Sequence, residues 1–313
     1  MVKAGIKLSR PLALACGVLA VVAVVLAGFS PTSAQVVLTG QNVVPAYEGW
    51  ELNPDGSFNL VFGYFNRNWE EELDVPIGPN NNIEPGGPDQ GQPTRFLPRR
   101  NRFLVRIRVP KDFDKKELVW TLSTHGKTER AFGTLKPDYF IDDIVIQNNN
   151  GAGGAGGGMP DTIGNKAPLL KVEGDMTRHV SVGQPVALTA FASDDDKPRR
   201  RSMPPPLSPL NRSSRGTPNS ATGLRLSWFV YRGAGKVTFD PLQIEVWEDY
   251  REGANSPWSA GFATPPVPPE GKWVNRVTFS EPGTYVLRCL AHDGGLMTSQ
   301  DITFVVNLSG AEN

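Results

Sequence analysis

Pro282-Gly283-Thr284-Tyr285-Val286-Leu287-Arg288-Cys289-Leu290-Ala291-His292-Asp293-Gly294-Gly295 is the stretch that decides the fold. A turn dipeptide opens it and an Asp-Gly-Gly turn closes it. Between them Tyr285, Leu287, Cys289 and Ala291 alternate with Val286, Arg288, Leu290 and His292. Successive side chains of a strand point to opposite faces, so this period of two predicts a half-buried β-strand. The second half of the chain reads as packing around it. No recognisable set of catalytic residues accompanies it.

The chain has 313 residues, enough for roughly two domains. Its 33 Gly and 28 Pro favour many short elements and turns over long helices, which points to an all-β fold. Lys3, Lys7 and Arg10 precede an uncharged, mostly apolar run from Leu12 to Phe29 that ends in Ser30-Pro31-Thr32-Ser33-Ala34. That order predicts a signal peptide over residues 1–34 and a mature start at Gln35. The run is also near the shortest length that spans a bilayer, so an uncleaved N-terminal anchor is the other reading. Without cleavage there would be an anchor; with it, no stable membrane insertion. The expected location is periplasmic or extracellular, at the cell surface.

The formal net charge is +0, and removing the three basic residues of the leader leaves a slight acidic excess. Such a balance gives no drive toward nucleic acid, and none is expected as a partner. Of the 2 cysteines, Cys16 falls in the leader, so Cys289 would have no internal disulfide partner.

Within a first domain over 35–146, the turn Asn53-Pro54-Asp55-Gly56 launches a strand with Phe58, Leu60, Phe62 and Tyr64 on one face and Val61 and Phe65 on the other. Residues 76–93 (PIGPNNNIEPGGPDQGQP) predict a long loop. Phe103, Val105, Ile107 and Val109 alternate with Arg102, Leu104, Arg106 and Arg108, and Thr124-His125-Gly126-Lys127 predicts a hairpin turn. Arg95, Arg99, Arg100, Arg102, Arg106 and Arg108 suit an anion-binding patch; the plainer reading is a solvated face neutralised by Glu70, Glu71, Glu72 and Asp74. Trp50, Tyr64, Phe65 and Trp69 suit sugar stacking or, more plainly, a core.

Residues 147–164 contain Gly151-Ala-Gly-Gly-Ala-Gly-Gly-Gly158 and predict a flexible linker that couples the two domains loosely. The second domain, 165–309, carries insertions at 197–223 and 247–273. Asn165-x-Ala167-Pro168, Val182-Gly183-x-x-Val186-x-Leu188, Ala192-Ser193-Asp194-Asp195, Leu226-x-Trp228 and Phe279-x-x-Pro282-Gly283-Thr284-Tyr285-Val286-Leu287 with Asp293-Gly294 resemble the PKD-like and immunoglobulin-like modules of bacterial secreted and surface proteins. The resemblance implies a β-sandwich in which Trp228 packs on Cys289, Tyr285 makes a corner, and Leu188 or Ala190 stands where a disulfide cysteine would be. The fold expected is two immunoglobulin-like β-sandwiches. The first domain resembles no family we can name.

Asp194, Asp195 and Asp196 end one strand and Asp293 ends another at the same pole. Converging carboxylates suit calcium, although strand-ending Asp also caps turns and no spaced calcium loop is present. The insertion 197–223 is basic and Pro/Ser-rich and predicts an exposed arm. The insertion 247–273 carries Trp247, Tyr250, Trp258, Phe262 and Trp273, which either fold back on the sheet or leave a platform for a ligand. No catalytic residue and no required cofactor is expected; His292-Asp293 beside Asp194 is the one pairing that suits acid-base chemistry. The function expected is a non-catalytic structural or protein-binding module of the cell envelope, its partner an envelope protein. The alternative is a carbohydrate-binding adhesion accessory whose partner is polysaccharide, and a hydrolase is the third reading.

Overall fold

Eight strands build the first sandwich: β1 (Val43–Leu52), β2 (Phe58–Asn66), β3 (Leu73–Asp74), β4 (Asn81–Glu84), β5 (Arg95–Phe96), β6 (Arg99–Val109), β7 (Leu118–Thr124) and β8 (Lys127–Gly133). The computed structural model describes residues 37–153, 160–205 and 219–308. The leader with Cys16, the glycine tract 154–159 and residues 206–218 of the basic insertion lie outside the described residues.

Sheets β1-β2-β6 and β4-β7-β8 face each other, with β3-β5 as a short third ladder. Leu60, Phe62 and Tyr64 point into a core shared with Ile83, Phe96 and Trp120. Val61, on the other side of β2, joins Phe103, Ile141 and Ile146, so both faces of this central strand are buried. The hairpin β7-β8 turns at His125 and Gly126, with φ of 48° and 73°. Two positive φ values are what a two-residue turn needs to match the strand twist. The run 76–93 is less irregular than its composition predicts, because β4 lies inside it and pairs with β7. Asn81 explains how an Asn-rich segment can be buried: its Nδ2 donates to the carbonyls of Val75 and Pro93, and its Oδ1 accepts from Trp120 Nε1. One short helix, α1 (Asp143–Asn149), follows, with the Asp142 carboxylate accepting from Val145 N.

The second sandwich comprises β9 (Leu169–Val172), β10 (Thr177–Ser181), β11 (Val186–Ser193), β12 (Arg225–Arg232), β13 (Val237–Asp240), β14 (Lys272–Phe279), β15 (Gly283–His292) and β16 (Met297–Asn307). Its sheets run β10-β16-β15-β12 and β13-β14-β11-β9, with β10 and β16 parallel. This is the immunoglobulin strand order. The all-β, two-sandwich fold expected from the sequence is the fold observed. Trp228 and Cys289 are direct cross-strand partners, and Leu188 and Ala190 are fully buried opposite them. Burial raises the Cys289 thiol pKa far above its usual value, so it is an inert core side chain. Each large side chain in this core contributes roughly 1.5–3 kcal/mol through burial.

Tyr285 makes the expected corner, its hydroxyl donating to the Glu281 carbonyl at 3.0 Å while its ring packs on Phe279. Replacing it with Phe keeps the ring and leaves that carbonyl without its partner. Tyr285→Phe is therefore expected to lower stability by about 1 kcal/mol, read as a lower urea midpoint at unchanged slope.

Candidate functional site

The two sandwiches belong to one compact unit, Val37–Asn313, and the seam between them is the most elaborated region of the molecule. It differs from the loose coupling the glycine tract predicts. Strand β15 supplies its centre. The alternation that puts Tyr285, Leu287 and Cys289 into the core puts Val286, Arg288, Leu290 and His292 on the opposite face, and the first sandwich covers that face. Arg288 holds the Asp301 carboxylate through Nε and Nη2 at 2.7 and 2.8 Å and donates from Nη1 to the Leu104 carbonyl of β6 at 2.6 Å. Its guanidinium also lies 3.6 Å from the centre of the Tyr231 ring. Around it Leu97, Phe229, Tyr231 and Leu290 form an apolar cluster, with Leu104, Val246 and Trp247 against it.

The loop 89–94 is the second fastening. Tyr231 Oη donates to the Gly91 carbonyl at 2.6 Å, and Arg232 forks onto Asp89 at 2.7 and 3.0 Å. Thr94 N donates to the Tyr231 carbonyl at 3.2 Å. Two further ion pairs, Arg102 with Glu248 and Arg251 with Glu70, tie the 247–273 insertion to the first sandwich.

A buried polar hub closes the other end. The Asp293 carboxylate accepts from Gly295 N, Leu296 N at 2.7 Å and Asn165 Nδ2 at 3.1 Å. Asn165 also donates to Gln147 Oε1, and Asn150 donates to the Gly295 carbonyl. A β-carbon at Gly295 would stand 2.9 Å from Gln147 Cγ and 3.2 Å from the Ala152 side chain, so glycine lets this segment approach. Gln147, Asn150, Gly151 and Ala152, which the sequence places in a flexible linker, are thus packed against the turn after β15. Arg201 joins them by donating to the carbonyls of Gly151 and Ala152. The stem of the basic insertion, expected as an exposed arm, packs on the other insertion: Met203 N donates to the Phe262 carbonyl, and Ala221 N to that of Pro257.

Burial pushes Asp293 up to about 7, helped by the charge of Asp194, which burial itself raises to about 6. These two carboxylates therefore sense each other, whereas Asp195 and Asp196 are exposed. Among the described residues no group of three or more His, Cys, Asp or Glu side chains is arranged to hold a metal ion. Of the insertion aromatics, Trp258 is only 6% exposed, Trp273 packs on the second core, Phe262 is half-buried, and Tyr250 is 44% exposed with its hydroxyl on Glu248. The five do not form one flat surface. Trp247 lines a cleft of about 380 Å3 with Trp228, Phe239, Gln243, Glu245 and Asn255. Sequence reasoning missed Trp228 and Glu245 here, because Trp228 serves the core and the cleft together.

The arginine-rich strand is held by carboxylates other than most of those expected. Arg95 does pair with Glu72 and Asp74, but Arg100 pairs with Glu48, Arg106 with Glu51 and Arg108 with Asp55. Gly63 makes the Glu48 pair possible, since a β-carbon there would run into Glu48 Oε1 and the Asn101 carbonyl. Of the aromatics weighed for stacking, Tyr64 is buried, Trp50 meets Phe58 and Phe140 edge-on, and Phe65 and Trp69 lie under Arg99. His125 reaches Glu71, His179 sits on β10, and His292 is buried on β15.

No protein-family model matches the chain, and no curated protein matches it. Among solved structures it is similar to fibronectin(III)-like modules of CbhA from Clostridium thermocellum, at 9% identity over 87% of this chain and 97% of that one, with a TM-score of 0.24. It is also similar to the S-layer protein rSbsC(31-844), at 8% identity, 87% and 28% coverage and a TM-score of 0.24. A third is the adhesin InvE of Yersinia pseudotuberculosis, at 10% identity, 87% and 61% coverage and a TM-score of 0.22. This chain thus spans about a quarter of the S-layer chain. TM-scores this low carry no argument, and the immunoglobulin-like assignment rests on the strand order above. No helix among the described residues is long and apolar enough to cross a membrane.

The seam carries a pH signature. Burial raises Glu245 to about 7, as it does Asp293. Both stand above the roughly 4 of an unfolded carboxyl, so the folded chain takes up protons that the unfolded chain does not, and stability grows as pH falls from about 8 toward 5. Asp194 adds to this in the lower part of the window. His292 opposes it: burial and Arg225 hold it well below its usual value, so only the unfolded chain protonates it. With three carboxyls against one imidazole, the urea midpoint is expected to be higher at pH 5.5 than at pH 8, with a smaller difference in Glu245→Gln.

Proposed function

We propose that the chain is exported and acts at the cell envelope as a non-catalytic structural or protein-binding module, its second sandwich being of the PKD-like kind. The seam is the observation that supports this reading. Arg288, Tyr231 and the loop 89–94 turn two sandwiches into one body, and such a body presents loops and sheet faces in fixed relation. Preorganisation of that kind favours binding, since less freedom is lost on association. Arg100, Arg102, Arg232 and Arg288 of the seam are each paired with a carboxylate.

The test is capture from a native envelope fraction by the full chain, followed by reciprocal capture with the recovered protein. One defined protein recovered in constant proportion in both directions is the expected result. It should be lost in Arg288→Leu, which removes the clamp and costs about 1–3 kcal/mol. Recovery of polysaccharide alone, or of nothing, overturns the proposal.

A carbohydrate-binding reading has one specific observation behind it, the cleft in which Trp247 adjoins Gln243, Glu245 and Asn255. Aromatic surface beside hydrogen-bonding side chains is the mixture that sugar recognition uses. Under that reading, soluble polysaccharide retards the protein in affinity electrophoresis and Trp247→Ala abolishes the retardation.

A further inference from the structure

A second, smaller cavity lies inside the seam, and its charged side chains are all arginines. Its volume is about 70 Å3, and its lining includes Arg100, Arg102, Arg106 and Arg288 but no Asp or Glu. On the same measure one water needs roughly 10–15 Å3, so several fit. His292 and Trp258 stand on its wall. His292 Nδ1 accepts from Gly294 N at 2.8 Å, which leaves the ring proton on Nε2 and makes that nitrogen a donor. The Trp258 indole N–H has no acceptor although the residue is almost wholly buried. The arginines, His292 Nε2 and the Trp258 indole all offer hydrogen, and Asn101, Asn150 and Ser299 complete the polar lining.

The carboxylates that hold the arginines, Glu48, Glu51, Glu248 and Asp301, are absent from the lining. They fix the guanidiniums without consuming all their donors: a guanidinium has five N–H groups. Positive charge is also crowded. Burial, with the neighbouring Arg100, holds Arg102 below its usual range. Behind His292 sits Arg225, 5% exposed, with one unpartnered Nη2 and its nearest charged influence, Asp293, itself raised to about 7. A partly enclosed site whose carboxylates lie behind its arginines, leaving guanidinium N–H groups to face the cavity, is complementary to an oxyanion, and arginine forks suit its paired oxygens. Arg106 and Ser299 are the most exposed residues of the lining, while Arg100, Arg102, Leu104, Val246 and Met297 are half-buried.

We infer that this cavity is a binding site for one small oxyanion group, a phosphate, sulfate or carboxylate, entering past Arg106 and Ser299 and held by Arg102, Arg288, His292 Nε2 and the Trp258 indole. It is independent of the partner proposed above.

Isothermal titration of the full chain with inorganic phosphate, sulfate or acetate, against chloride at matched ionic strength, tests this. At least one oxyanion is expected to bind saturably at one site, while chloride does not; the three arms separate tetrahedral from planar groups. Arg102→Met and Ser299→Trp are each expected to weaken that binding by about tenfold or more. Arg108→Met, on the same strand but outside the cavity, is expected to leave it within about twofold. Ser299→Trp alters an exposed residue and keeps the test valid if Arg102→Met does not fold. The absence of saturable binding by any of the three anions overturns the inference. So does undiminished binding in Ser299→Trp.

Discussion

The architecture depends on what happens to the charge of Arg288. A guanidinium taken out of water must be paired and fully hydrogen-bonded, or its burial costs several kcal/mol. Here Asp301 comes from the neighbouring strand, the Tyr231 ring from the strand on the other side, and the Leu104 carbonyl from the other sandwich. Two of these partners exist within the second sandwich alone; the third exists only when the sandwiches meet. The arginine therefore couples the folding of one sheet to the docking of another.

That coupling also explains why the seam mixes ion pairs with apolar contacts where a domain core would be apolar throughout. Both sandwiches have complete apolar interiors of their own. What remained to be covered were outward faces with alternating polar residues, and these meet through arginines and backbone carbonyls beside the apolar cluster of Leu97, Phe229, Tyr231 and Leu290. Such an interface specifies one relative placement, because a fork such as Arg232 on Asp89 or a donor such as Tyr231 on Gly91 has little tolerance for sliding.

Strand periodicity made most of the fold legible in the sequence. Tyr285 and Trp228 occupy the positions that the immunoglobulin-like resemblance implies, and His125-Gly126 forms the turn its composition predicts. The hidden parts have one cause in common: polar side chains standing in for other groups. Asn81 replaces backbone partners and buries a strand within an Asn- and Gly-rich run. Arg288 and His292 occupy alternating positions that a single sheet would expose, yet both are buried, Arg288 against Leu104 of the other sandwich. Asp194 and Asp293 could be placed at one pole from strand order, but the partners of Asp293, Asn165 and two backbone amides, belong to a turn and a linker whose approach no periodicity encodes.

Strand β12 is an edge of its sheet, and an edge with free amides and carbonyls is a template for pairing with another chain. Here that template is taken up along part of its length. Gln243 accepts from Trp228 N, Thr94 N donates to the Tyr231 carbonyl, and Thr94 Oγ1 accepts from Gly233 N. The first sandwich is in this respect a guard against misassembly as much as a neighbour. A second sandwich severed from it would expose a hydrogen-bonding ladder beside Phe229 and Tyr231, and self-association would then compete with whatever the intact chain binds.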